Sequence, residues 1–258
     1  MAQNNPKVSV IIATFNREQF IVEAIDSVKK QTFTNWEMMI IDDASTDNTE
    51  KIVKKYIDGD SRIKYFKNQT NLGISKSRNK GLSQAKGLYI ATLDSDDTWL
   101  DENKLKTQIE FLDTNLDYAL IGGGIMFIDK DSKPIRKTLF PIYDSIIRNV
   151  ILQFNPFPHS TVMIRRSAID DVGNYDETMK TCEDYDMWFR LGLKYKFTNV
   201  PKVLTGYRVH GGNISRNKRL SMAATVLELV KKYSKYYRRP FLGITKAYVR
   251  VIMAYMKN

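Results

Sequence analysis

Apolar and polar positions along the chain change period several times, and each change marks an element. Residues 8–13 (Val8-Ser9-Val10-Ile11-Ile12-Ala13) form a β-branched run between Pro6 and Asn16, the signature of a strand buried on both faces. Phe20, Ile21, Ala24, Ile25 and Val28 then recur at helical spacing, with Asn16 as the expected cap. A second strand is predicted over 36–41, and a helix capped by Ser45 runs to about Tyr56. A short strand at 63–66, a helix opened by Asn71-Leu72-Gly73 and a strand over 88–93 follow. This β-α-β-α-β-α-β order predicts a parallel sheet with right-handed crossovers.

Beyond residue 100 the pattern is mixed. Helices are predicted over 104–112, 144–154 and 183–194, with a short one that starts at Ser167 and stops at Gly173. Strands are predicted over 119–128, 135–139, 161–165, 197–200 and 204–207, with a hairpin turn at 129–132. After residue 218 two helices are expected, separated by Pro240. No internal repeat or low-complexity linker interrupts the chain.

Composition narrows the class. The apolar fraction of 43% in 258 residues supports a substantial core. The one cysteine, Cys182, fits a reducing compartment. Neither a signal peptide nor a membrane-spanning run is expected. Neither GxGxxG nor GxxxxGK[ST] occurs, which sets dinucleotide-binding and P-loop readings aside. Charge is lopsided: eleven Lys or Arg from Arg216 onward face only Glu228, so the tail holds nearly all of the net +11.

Acidic residues gather where such a sheet binds ligands, beyond the carboxyl ends of its strands. Asp42-Asp43 ends one strand, and Asp94-Ser95-Asp96-Asp97, which contains a DxD, ends another. Like charges this close repel unless a cation lies among them, and an oxygen-rich set suits Mg²⁺ or Mn²⁺. Glu183-Asp184 opens a predicted helix. Each group also has a plain structural use: Asp42, Asp43, Asp97 or Asp184 could cap the following helix, and Phe15 could be core.

Taken in order, these stretches resemble the family 2 glycosyltransferases. The resemblance rests on Ile11-Ile12-Ala13-Thr14-Phe15-Asn16, Gln31-Thr32-Phe33, Ile41-Asp42-Asp43-Ala44-Ser45, Asn71-Leu72-Gly73 with Arg78-Asn79, and Leu93-Asp94-Ser95-Asp96-Asp97. It continues through Pro158-His159-Ser160-Thr161, Glu183-Asp184-Tyr185-Asp186-Met187-Trp188 and Tyr207-Arg208-Val209-His210-Gly211-Gly212-Asn213-Ile214-Ser215, and so covers about residues 6–215.

The resemblance implies an α/β GT-A fold, a mainly parallel mixed sheet flanked by helices. It further implies an inverting hexosyltransferase that uses a nucleotide sugar. A catalytic domain over 1–215 is expected, with its nucleotide half at about 1–100 and its acceptor half at about 101–215, followed by a basic helical extension over 216–258. Ala13, Thr14, Phe15 and Asn16 would hold the base of a UDP-sugar, Asp43 would bond it, and Arg78 would contact base or phosphate. Asp94 and Asp96 would complete the nucleotide site. Asp97, with Asp96 and His210, would hold Mn²⁺ or Mg²⁺. Asp184 matches the general base, and a carboxylate there could deprotonate an attacking hydroxyl. His159, Glu183, Tyr185 and Trp188 are candidate acceptor contacts, although Trp188 would look the same as a core residue.

An α-linked donor would then give a β-linked product, on a saccharide or polyprenyl-diphosphate-linked acceptor, in bacterial surface polysaccharide synthesis. The alternatives are a nucleotidyltransferase-like enzyme, whose basic glycine-rich first loop is missing at Ala13-Thr14-Phe15-Asn16, and a silent sugar- or lipid-binding protein. The basic, aromatic tail could be an anchor at an anionic membrane surface, a hairpin packed on the domain, or, least favoured, a nucleic-acid contact. A cytoplasmic protein at the inner face of the plasma membrane is expected, and no nucleic-acid partner. Donor sugar, linkage position and oligomeric state are left open by the sequence.

Overall fold

The computed structural model describes residues 5–212 and 218–256. Asn213, Ile214 and Ser215 of the resemblance, and Arg216 and Lys257 of the tail, lie outside them. The first half is the expected alternation: β1 (Val8–Thr14), α1 (Ile21–Lys29), β2 (Trp36–Asp42), α2 (Thr49–Gly59), β3 (Ile63–Lys67), α3 (Ile74–Gln84) and β4 (Tyr89–Thr92). β3, β2, β1 and β4 are neighbours in that order, all parallel. β1 is buried from end to end because helices cover both faces. Its side chains alternate accordingly, Ile11 entering one core cluster and Val10 and Ile12 the other.

The second half contains β5 (Thr98–Trp99), α4 (Lys104–Thr114), β6 (Tyr118–Ile128), β7 (Pro134–Thr138), α5 (Asp144–Val150), β8 (Met163–Arg165), α6 (Arg166–Val172), α7 (Glu183–Lys194) and β9 (Lys196–Arg208). β8 runs antiparallel between β4 and β6 and so joins the two halves of the sheet. β6 and β9 pair in parallel over most of their length, with register shifts at Gly123/Gly124 and Gly124/Ile125. The result is the mixed, mainly parallel sheet expected of a GT-A fold. β9 is one strand where two were expected, because this ladder carries the chain through Pro201.

Caps differ as well. α1 starts at Ile21, and Asn16 instead adopts a left-handed turn (φ 52°) with its Oδ1 accepting from Thr46 N at 2.8 Å. Ser45 accepts from Asn16 N at 2.9 Å and does not cap α2, which begins after Asn48. α6 starts at Arg166, one residue before the expected Ser167 cap. In each case a polar side chain expected to serve its own helix binds a neighbouring loop or none.

The chain ends in a helical hairpin, α8 (Arg219–Tyr233) and α9 (Pro240–Tyr255). Leu229, Val230, Tyr233, Tyr237 and Ala247 join the core cluster that contains α7. The Phe189 and Tyr233 rings stack at 4.7 Å, and Tyr237 donates to Phe189 O at 2.7 Å.

Candidate functional site

A cleft of about 1130 Å³ opens at the carboxyl ends of β1, β2 and β4, bounded on the far side by α7, α8 and α9. The parallel topology puts these three strand ends on one edge, so Asp43 and Asp94–Asp97 share it, and α7 brings Glu183 and Asp184 to the same cleft.

On the β1 side Ala13, Thr14, Phe15 and Asn16 line the cleft. Phe15 is 40% exposed there, as a ring available for stacking would be. The Thr14 hydroxyl is buried with no protein partner. Both Asp43 oxygens serve the neighbouring loop: Oδ1 accepts from Asn68 Nδ2 and Leu72 N, and Oδ2 from Gly73 N, each at 2.8 Å. Asp43 therefore pins the loop whose Gly73, at φ 91°, starts α3. Carboxylate lone pairs remain for a further donor.

Arg78, expected to contact base or phosphate, lines the cleft and also bridges two carboxylates. Its guanidinium is almost wholly buried between Asp94 Oδ1, at 2.7 Å, and Glu183 Oε1. His159 Nδ1 meets the same Asp94 oxygen at 2.9 Å, and its Nε2 meets Tyr175 OH at 3.1 Å. Against the cost of burial, the imidazole and the guanidinium hold the Asp94 carboxyl well below its ordinary range.

The next two carboxylates diverge. Asp96 Oδ2 is 2.9 Å from His210 Nε2 and 3.3 Å from Arg17 Nε. Asp97 turns inward: Oδ2 accepts from the Ser160 hydroxyl at 2.5 Å and Oδ1 from Arg208 N at 2.8 Å. Burial, with Asp96 and Asp94 nearby, raises the Asp97 carboxyl well above its ordinary value. Among the described residues no three His, Cys, Asp or Glu side chains gather as a metal site. Asp96 and His210 offer one carboxylate and one imidazole, too few for an all-protein site. A divalent cation held by substrate phosphates needs no more than that.

Across the cleft, the first turn of α7 carries Glu183 and Asp184. Glu183 is spent on Arg78. Asp184 accepts from Asn155 Nδ2 at 3.1 Å, and burial together with the neighbouring Glu183 lifts it to about 6. A carboxylate poised there is half-ionised near pH 6, mostly ionised at neutrality, and able to take a proton. Burial and the same two acids push the Cys182 thiol up to about 12, which leaves it unreactive.

Of the candidate acceptor contacts, His159, Glu183 and Tyr185 line the cleft. His159 and Glu183 are committed to Asp94 and Arg78, and Tyr185 donates to Ile151 O. Trp188 is fully buried, donates to Phe157 O at 3.2 Å and is not among the lining residues. Asn155, Ser160, Tyr175 and Arg208 were missed as partners of the site. Ser160 and Arg208 stood inside recognised runs. Nothing local marked Asn155 or Tyr175.

Comparison with known proteins shows what the chain as a whole is similar to. The sequence model of glycosyl transferase family 2 matches residues 9–173. The UDP-Glc:alpha-D-GlcNAc-diphosphoundecaprenol beta-1,3-glucosyltransferase WfaP of Escherichia coli is 36% identical over 214 residues, 82% of this chain and 80% of that protein. The putative teichuronic acid biosynthesis glycosyltransferase TuaG of Bacillus subtilis is 34% identical over 225 residues, covering 84% and 85%. S. aureus TarS 1-349 in complex with UDP-GlcNAc superposes with a TM-score of 0.72 at 22% identity, over 96% of this chain and 73% of that one. Against a longer TarS chain the match spans 40% of its length. The mannosyltransferase PcManGT from Pyrobaculum calidifontis, in complex with GDP-Man and Mn²⁺, gives 0.70 at 17% identity, over 98% and 74%. At these identities the structural likeness is one of fold.

Proposed function

The chain belongs to glycosyl transferase family 2, and on that premise we propose that it moves a sugar from a UDP-sugar to a saccharide carried on a polyprenyl diphosphate, with inversion. The observation that carries this reading is Asp184, lifted to about 6 and held by Asn155 across the cleft from Asp96 and His210. A base and a leaving-group site on opposite walls are what in-line displacement requires. The acceptor hydroxyl gives its proton to Asp184 as its oxygen attacks the anomeric carbon. The bond to the nucleoside diphosphate breaks on the other face, so an α-linked donor yields a β-linked product.

On the donor side, Phe15 covers the base and Ala13, Thr14 and Asn16 complete its slot. Asp43 shapes the slot through the 71–73 loop and has capacity for an imide N–H. Asp94, held ionised, offers its carboxylate to ribose or sugar hydroxyls. Arg78 acts on Asp94 and Glu183 and not on phosphate. Asp96 and His210 would hold Mn²⁺ or Mg²⁺, which when bound stabilises the departing diphosphate as a Lewis acid. Asp97, expected to lead that set, packs behind it, as both its oxygens are engaged by Ser160 and Arg208.

The E. coli relative is named for a UDP-glucose donor, a diphosphoundecaprenol-linked acceptor and a β-linkage. That name supports extending donor class, acceptor class and anomeric outcome to this chain, in bacterial surface polysaccharide synthesis at the inner face of the plasma membrane. No helix among the described residues is long and apolar enough to cross a membrane, which is compatible with a peripheral attachment through residues 216–258.

Titration calorimetry with UDP, with and without Mn²⁺, tests the donor half. Metal-dependent binding that is lost in Asp96→Ala and His210→Ala is expected; no binding of any nucleoside diphosphate would sink the proposal. The anomeric configuration of the product, read by NMR, tests inversion.

A further inference from the structure

The last helix is built inside out. Its protein-facing positions are small: Gly243, Ala247 and Ala254 are its buried residues. A Cβ at Gly243 would stand 2.6 Å from Leu152 Cβ and 3.0 Å from the Leu152 carbonyl oxygen, so the backbone sits close against the α5 side of the protein. Its large residues point the other way. Phe241 is 84% exposed, Ile252 58%, Tyr255 75% and Met256 78%, with Tyr248 and Val249 about half exposed. Steps of seven, four and three from Phe241 through Tyr248 and Ile252 to Tyr255 keep these side chains on one stripe. A surface helix normally does the reverse.

That stripe carries no charge. The charged residues of the helix, Lys246 and Arg250, turn inward to Gln153, where Lys246 Nζ meets Oε1 at 2.8 Å and Arg250 donates to the carbonyl. Cations flank the stripe: Lys231 Nζ lies 4.8 Å above the Tyr248 ring, Lys235 caps Tyr236, and Arg238 and Arg239 are exposed. Glu228 is the one acid in the whole 216–258 segment.

An uncharged aromatic and aliphatic stripe rimmed by Lys and Arg matches the boundary of an anionic bilayer, acyl chains against the stripe and headgroups against the rim. A second copy of this chain fits worse, because a twofold contact would set the same cations against each other. We propose that α9 is an interfacial docking helix that seats Phe241, Tyr248, Ile252, Tyr255 and Met256 in an anionic membrane surface. Arg250, on the opposite side of the same helix, lines the cleft. One helix diameter, about 10 Å, therefore separates the docking face from the cleft. Docking so oriented brings the cleft to the depth of a lipid-borne diphosphate; this consequence rests on the acceptor proposed above, whereas docking itself does not.

Co-sedimentation of the full chain with phosphatidylcholine vesicles, with and without phosphatidylglycerol, tests it. The wild type should bind the anionic vesicles at least about tenfold more tightly. Ile252→Asp and Tyr255→Asp should each lose about tenfold or more. Leu88→Asp, exposed outside the hairpin, should bind like wild type. The exposed positions allow these variants to melt at the wild-type temperature. Unchanged binding in Ile252→Asp, or no wild-type preference for anionic vesicles, overturns the proposal. So does a wild-type dimer in analytical sedimentation that Ile252→Asp converts to monomer. UDP affinity of Ile252→Asp should equal wild type, so failure here and failure of the functional proposal are told apart.

Discussion

Arg78→Leu removes a cation that joins Asp94 on one wall of the cleft to Glu183 on the other. Arg78 and Glu183 side chains are each 7% exposed, so their pair lies away from water; Asp94 is 32% exposed and its share is discounted for screening. Removing one member of a buried pair strands the other as an uncompensated charge, at a cost of about 3–5 kcal/mol. For a chain of this length that is a fall of roughly 10 °C in Tm. There is a second effect. Arg78 pulls the Asp184 carboxyl down against the upward push of burial and Glu183, so its loss moves Asp184 above about 6. The acid limb of the kcat/KM profile, which requires ionised Asp184, then shifts to higher pH. Arg78→Lys keeps a charge but cannot bridge both carboxylates, and should recover only part of either effect. Arg78→Leu with Glu183→Gln should be less damaging than the two costs added, because the stranded charge is gone. The assays are differential scanning calorimetry and a pH–rate profile with released UDP as readout. A Tm within about 2 °C of wild type together with an unmoved acid limb would refute the bridging role, and Arg78 would return to being a phosphate contact.

Asp184→Asn should lower transfer by about 10²–10⁴-fold while sparing UDP affinity, and wild-type activity should fall as pH drops through about 6; a variant that still transfers would place the base elsewhere. Lys104 is buried beside Gln108 and over the Trp99 ring, and burial, opposed only by Asp101, holds its ammonium well below its ordinary value. The unfolded chain thus binds that proton more readily, so stability falls as pH drops below about 10.4 toward the lowered value. Lys104→Met should consequently lose this pH dependence, so that its stability relative to wild type falls between pH 7 and pH 10 in urea denaturation; a difference that does not change with pH would contradict this. Gly243→Ala should cost about 1–3 kcal/mol by forcing α9 off Leu152, with faster hydrogen exchange in the hairpin; a thermal melt identical to wild type would mean the contact gives way freely.

Order and period along the sequence determined the nucleotide-side architecture. The run at Val8–Ala13 reads as a strand covered on both faces, and its alternation with amphipathic helices predicts a parallel sheet. Because all strands of such a sheet point the same way, Asp43 and Asp94–Asp97 had to share an edge, and the cleft could be located from spacing alone. What a carboxylate or guanidinium does there depends on partners far along the chain, and no local pattern records them. Asp97 turned inward because β9 brings Arg208 N and the 158–161 turn brings Ser160 to it. Arg78 bridges Asp94 and Glu183 because α7 delivers Glu183 to it. Asp184 gained its elevated value from its own burial and from Glu183 beside it, while Asn155, on a loop with no motif, holds it in place. The tail shows the limit most plainly. Helical periodicity marks a stripe on α9 but cannot say whether the stripe or its opposite side is covered. Only packing against Leu152, so close at Gly243 that an added Cβ would stand 2.6 Å from Leu152 Cβ, turned Phe241, Ile252 and Tyr255 out to solvent.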